Sequence, residues 1–199
     1  MKSNLLMAML VIAFCTTSCK KDQIASDGQK EDQTLVLKTE ASNVTVPLGG
    51  NIQTAINTAA AGGGGTVNLS SGTYYITSPI KMKSNVTLNG KGNPTTTIKG
   101  QGDYNVIMQD SEGLSNVTIQ NLKVVGTSGL NCYGIIIESL GAYHTNVKLS
   151  NVQVTGCGMG VHIKGTNGVI ISSANIHHNG FASKEGYYHN LYLRRCNTV

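Results

Sequence analysis

One phrase keeps returning along this chain, and its spacing constrains the fold more than any other feature. Asn85-Val-Thr-Leu-Asn-Gly, Asn116-Val-Thr-Ile-Gln-Asn and Asn146-Val-Lys-Leu-Ser-Asn start 31 and 30 residues apart; Gly168-Val-Ile-Ile-Ser-Ser follows after 22, and Asn197-Thr-Val reopens the phrase after 29. A second series runs between them: Asn105-Val-Ile-Met-Gln, Gly134-Ile-Ile-Ile-Glu, Gly160-Val-His-Ile-Lys and Asn190-Leu-Tyr-Leu-Arg, whose starts differ by 29, 26 and 30 residues. A repeat this short cannot bury its own apolar side chains, so it must stack on its neighbours. Two strand series with one period, separated by Gly, Asn and Ser, describe a solenoid with one coil per repeat and parallel strands about 4.8 Å apart.

Alternation along a strand assigns the faces. In the second series Val106, Ile135, Val161 and Leu191 form one inward ladder, with Met108, Ile137, Ile163 and Leu193 two residues on. The outward ladders are then Ile107, Ile136, His162, Tyr192 and, beside it, Gln109, Glu138, Lys164, Arg194. Asn121 and Asn151, each five residues past a repeat start, are expected at bends, stacked to satisfy turn carbonyls.

Before the repeats, Gly49-Gly50-Asn51 precedes Ile52, Ala55, Ile56 and Ala59, a helical apolar stripe ended by Gly62 to Gly65. A short helix over residues 51–60 is expected to close the bottom of the stack. The glycines are not a phosphate loop, because no Gly-Lys-Ser/Thr follows them.

The run Ile52-Gln-Thr-Ala-Ile-Asn, then Gly65-Thr-Val-Asn-Leu-Ser-Ser-Gly-Thr-Tyr-Tyr-Ile, then Lys83-Ser-Asn-Val-Thr-Leu-Asn-Gly-Lys-Gly resembles the N-terminal cap and first coil of pectate-lyase-like proteins. The resemblance implies an all-β, right-handed parallel β-helix over about residues 48–199. It also implies polysaccharide lyases, hydrolases and epimerases as relatives, together with non-enzymatic members, so the fold alone does not assign an activity.

The outward ladders are where chemistry is expected. His162, Lys164, Tyr192 and Arg194 lie one strand spacing apart and form a square. Lys164 or Arg194 would neutralise a uronate carboxylate, His162 or Lys164 would take the proton alpha to it, and Tyr192 would protonate the leaving oxygen. Glu138 and Gln109 are the candidate substrate-binding neighbours. The competing reading is structural: Glu138 pairs with Lys164, Arg194 is solvated, and Tyr192 covers apolar surface. His177 and His178, with His189 before the last strand, could supply metal ligands or a base. Adjacent histidines on a strand point to opposite sides and do not make one metal site, so His177-His178-Asn179-Gly180 reads rather as a turn. His144 is expected at the surface.

Hydrolysis is disfavoured. The Asn-x-Asp, Asp-Asp and Gly-His-Gly motifs of polygalacturonase-like hydrolases are missing, and residues 47–199 hold five acids against ten Lys or Arg. The same shortage argues against a calcium-dependent lyase site. No metal ligands and no cofactor are assigned. The basic excess favours an anionic partner such as an acidic polysaccharide. Absence of Trp and of RNA-binding or helix-turn-helix signatures excludes nucleic acid as the expected partner. Cys132, Cys157 and Cys196 contain no CxxC and are expected to pack as buried thiols.

The N-terminus reads as an export signal. Lys2, the apolar run Leu5 to Phe14, and Thr16-Thr17-Ser18 lead to Cys19, a pattern resembling the lipobox of bacterial lipoproteins with Thr16 where Leu is usual. Residues 1–18 are then the signal peptide and Cys19 carries the lipid; ordinary cleavage nearby is the alternative. Residues 19–46, with four Lys and five acids and few large apolar side chains, read as a tether. Residues 47–199 form the β-helix, counted as about four coils and expected to be incomplete at the C-terminal end, where Asn197-Thr-Val reopens a strand.

Together these features point to an exported, lipid-anchored envelope protein at the outer membrane or cell surface. Its expected activity is that of a polysaccharide-lyase relative acting by β-elimination on an acidic glycan. The alternative is a non-catalytic glycan-binding or structural surface β-helix.

Overall fold

The computed structural model describes residues 41–127, 129–180 and 189–197. The expected signal peptide, Cys19 and most of the expected tether lie outside the described residues. The rest form a parallel β-solenoid of about six turns with one short helix near its N-terminal end.

In chain order the elements are β1 (Ser42–Val46), α1 (Ile52–Ala61), β2 (Gly65–Leu69), β3 (Gly72–Ile76), β4 (Ile80–Met82), β5 (Val86–Asn89) and β6 (Thr96–Gly100). They continue with β7 (Ile107–Gln109), β8 (Ser115–Val125), β9 (Tyr133–Glu138), β10 (His144–Thr155), β11 (Met159–Ser172), β12 (Asn175–Ile176) and β13 (Leu191–Asn197). All pairings are parallel and fall on three faces. One face stacks β1, β2, β5, β8, β10 and the end of β11. A second stacks β3, β6, the ends of β8 and β10, and β12. The third stacks β4, β7, β9, the start of β11, and β13.

The first face corrects the count of four coils to about six. The turns left out of that count are those of β1 and β2, which precede the repeat phrase at Asn85. β1 also begins inside the segment read as a tether, and its Val46 is 3% exposed. Asn43-Val-Thr is thus a strand phrase like those at Asn85 and Asn116.

α1 follows from its sequence. The Asn51 side chain accepts the Thr54 N–H at 2.9 Å, capping the first turn, and Ile52, Ala55, Ile56 and Ala59 are its buried stripe. The helix stops where Gly63, Gly64 and Gly65 take φ of 87°, 124° and 150°. At Gly65 a Cβ would stand 1.8 Å from the Ser42 carbonyl oxygen, so only glycine lets β1 settle on β2.

Bends between faces fall where the asparagines predict them. Asn121 and Asn151 break β8 and β10 with φ of 57° and 50°, the left-handed region that asparagine tolerates. Their amides stack: Asn151 Nδ2 donates to Asn121 Oδ1 at 3.0 Å, and Asn121 Nδ2 donates to Asn89 Oδ1 at 2.9 Å. Asn85, Asn116 and Asn146 build a second such stack, with bonds of 2.8 and 3.0 Å. In β11 the corner is Gly165, at φ 65°.

Inside, each face contributes an apolar file: Val67, Leu88, Ile119 and Leu149 on the first, Tyr74, Ile98, Val124 and Val154 on the second. All but Tyr74 are fully buried, and Tyr74 spends its hydroxyl on the Val46 carbonyl at 2.8 Å. Each such aliphatic side chain contributes about 1.5–3 kcal/mol relative to exposure.

The third face corrects one register. Ile107, expected outward, pairs with Ile135 and is fully buried, and Met108, expected inward, joins the outward file beside Ile136. Val106 is buried as well, because it precedes the strand in a turn whose N–H donates to the Tyr133 carbonyl. Strict alternation does not extend into that turn. From Ile135 onward the expected pairing is observed: Ile135, Val161 and Leu191 are in line, as are Ile137, Ile163 and Leu193.

Candidate functional site

The third face brings the four expected residues together. His162 pairs with Tyr192 and Lys164 with Arg194 across β11 and β13, while Ile136 and Glu138 occupy the rung below on β9. His162 and Tyr192 have ring centroids 4.9 Å apart, tilted by 46°. Lys164 Nζ donates to Glu138 Oε1 at 2.5 Å, with side chains 17% and 26% exposed. The ion pair of the structural reading is therefore present. Arg194 is exposed and meets no carboxylate among the described residues.

His162 is the unusual member. Both of its ring nitrogens are buried and have no hydrogen-bond partner within the protein. Glu138 Oε2 stands 3.8 Å from Nε2, beyond a hydrogen bond. Burial lowers the His162 pKa below its ordinary value of 6.5; Glu138 opposes that shift and Lys164 adds to it. Near neutral pH the ring is an uncharged imidazole with both nitrogens unspent, a state suited to taking a proton.

Two aromatic neighbours adjoin this couple: Tyr133, which carried no expectation from the sequence, and His189, a candidate metal ligand or base by sequence. Tyr133, at the head of β9, meets His162 edge-on at 5.7 Å, and His189 stacks on Tyr192 at 5.6 Å and 14°. The available signal was position: each stands next to the opening Gly or Asn of a strand phrase. The pair encloses the His162–Tyr192 couple along one side.

Gln109 has a different role from the one expected. Its Nε2 donates to the Glu138 carbonyl at 2.9 Å and its Oε1 accepts the Glu138 N–H at 3.2 Å. The side chain thus continues the ladder of backbone bonds and holds β9 in place.

His144 departs from expectation: it is fully buried rather than at the surface, and its Nδ1 accepts the Leu114 N–H at 2.9 Å. His177 and His178 lie past the end of β12 in the turn expected of them, where His178 takes φ 52° and the two Nδ1 atoms lie 2.5 Å apart. Among the described residues no group of three or more His, Cys, Asp or Glu is placed to hold a metal ion.

Two surface depressions of about 450 Å³ lie elsewhere, one beside the cap at Leu48 and Tyr75, the other along Asn85, Asn116 and Asn146. Neither depression includes the His162 square, which lies on the outward side of the third face with the His162 side chain 12% exposed.

Residues 49–113 match the family model described as rhamnogalacturonase A/epimerase, pectate lyase-like. Among solved structures, the A-module of the mannuronan C-5 epimerase AlgE4 from Azotobacter vinelandii matches with a TM-score of 0.59 and 26% identity, covering 65% of this chain and 40% of that one. The A-module of the mannuronan C-5 epimerase AlgE6 from the same organism gives a TM-score of 0.58 and 25% identity, covering 64% of this chain and 39% of that one. The chain thus spans about two fifths of the length of these epimerase modules. No curated protein sequence matches it.

Proposed function

We propose that this chain, whose residues 49–113 match a pectate-lyase-like family model, modifies an acidic polysaccharide at the His162 face. One observation carries this reading: an imidazole with no hydrogen-bond partner stands in register with a phenol and beside two cations on successive rungs.

Arg194 neutralises a uronate carboxylate, helped by Lys164, and the proton on the carbon alpha to it becomes acidic. His162 takes that proton. In β-elimination the carbanion expels the glycosidic oxygen at the next carbon; a double bond forms, the C–O bond breaks, and Tyr192 supplies the proton to the leaving oxygen. A second outcome, return of a proton to the opposite face with inversion of that carbon, is favoured by the mannuronan C-5 epimerase modules among the similar structures. Both outcomes share the abstraction by His162.

We also propose that Cys19 is diacylated and holds the protein on the outer membrane or cell surface, where such a glycan is met. The support is the residue pattern from Lys2 to Cys19.

The test incubates the protein with alginate, pectate and glycosaminoglycans. Ultraviolet absorbance of an unsaturated uronate identifies elimination, and an inverted sugar signal in the NMR spectrum identifies epimerisation. Neither product with any of them, alongside retention on a polyanion column, overturns the enzymatic reading and leaves a glycan-binding module.

A further inference from the structure

Two cysteines that take no part in this chemistry are stacked inside the solenoid. Cys132 and Cys157 are fully buried free thiols at the entries to β9 and β11. The Met159 N–H donates to the Cys132 carbonyl at 3.1 Å, so the two entry loops lie one on the other. Gly126, in the turn beside them, leaves the space they fill: a Cβ placed on it would stand 2.5 Å from each sulfur and 3.2 Å from the Cys157 Cβ. The sulfurs are therefore no more than about 5 Å apart, and neighbouring coils separate Cα atoms by distances that a disulfide spans.

We propose that Cys132 and Cys157 are a cross-linking site, joined as a disulfide across successive coils when a low-molecular-weight disulfide accepts their electrons. The Cys132 thiolate attacks the small disulfide, forming a mixed disulfide and releasing one small thiol. The Cys157 thiolate then attacks Cys132 Sγ, and the second small thiol leaves. Two electrons and two protons pass from the cysteines to the oxidant. Cys132 is suited to the first attack, since its sulfur lies beside that of Cys157 and accepts the Thr127 N–H at 3.3 Å, surroundings that hold its thiol below the ordinary range. Because both sulfurs are enclosed, the bond forms fast during folding and slowly in the folded protein. Once made, it pins the start of β9, which carries Glu138, to the start of β11, which carries His162 and Lys164.

Tryptic mapping tests this directly, because cleavage after Lys123, Lys148 and Lys164 puts the two cysteines in separate peptides, 124–148 and 149–164. The full chain is refolded in a mixture of reduced and oxidised glutathione, free thiols are alkylated, and the digest is read by mass spectrometry without reduction. The expected result is peptide 124–148 linked to 149–164 with Cys196 alkylated, and a Tm that falls by about 5–10 °C on reduction. Cys157→Ala should show neither the link nor the reductant-sensitive Tm. Alkylation of both Cys132 and Cys157 in the refolded wild type, or a link from either to Cys196, would overturn the proposal. The wild-type map decides even where the variant does not fold.

Discussion

Lys164 grips Glu138 at 2.5 Å, whereas Arg194, the next residue in the same outward file, faces no carboxylate among the described residues. The two cations are therefore unequal toward an incoming anion. Glu138 competes for Lys164, and Arg194 offers its whole charge.

Arg194→Ala should weaken binding of a polyuronate by roughly 5–10-fold, and Lys164→Ala by less, measured by titration calorimetry at low salt. Arg194 is exposed, so its removal should move Tm by no more than about 2 °C. A larger loss from Lys164→Ala than from Arg194→Ala would reverse this assignment of roles.

The pH dependence follows from His162. Its folded-state pKa lies below the ordinary 6.5, so above that value both states are neutral and its contribution is constant. As pH falls through 6.5 the unfolded chain takes the proton first, and stability declines until the folded-state pKa is passed. Wild type should therefore lose more stability between neutral and acidic pH than His162→Gln, compared by urea denaturation. Parallel losses in the two proteins would refute the buried, neutral ring.

The asparagine corners are open to a graded test. Asn121→Ala forfeits a left-handed preference of about 1–2 kcal/mol and two side-chain hydrogen bonds of about 1 kcal/mol each. Asn121→Gly forfeits mainly the bonds. The glycine variant should melt above the alanine variant and below wild type; equal melting of all three would mean the amide stack contributes nothing.

Cys19→Ser tests the proposed anchor. It should release the protein from membranes or stall its processing, as read by fractionation. Unchanged membrane retention would remove the lipoprotein proposal.

Most of the scaffold was legible because stacking imposes a period, and a period survives in a sequence. Asn121 and Asn151 were assigned to bends from their offset alone, and the same arithmetic put His162 opposite Tyr192 and Lys164 opposite Arg194. The errors sit where periodicity is interrupted. Val106 and Ile107 are both buried because a turn, which has no alternation, runs straight into β7. β1 and β2 went uncounted because the repeat phrase was counted from Asn85 onward and Asn43-Val-Thr was placed in the tether. The bond from Gln109 to the Glu138 backbone was invisible too, since the shifted register sets Gln109 opposite buried Met82 rather than in the outward file.

Loss of the proton alpha to the uronate carboxylate is the step common to elimination and inversion, so it tests the assignment of His162 most directly. The measurement follows that proton by NMR in heavy water, with wild type and His162→Gln acting on alginate, pectate and glycosaminoglycans. The account predicts that the signal disappears from one of these polymers with wild type, and at least about 100-fold more slowly with His162→Gln. A signal that persists in every polymer, or that disappears equally fast with the variant, would contradict it.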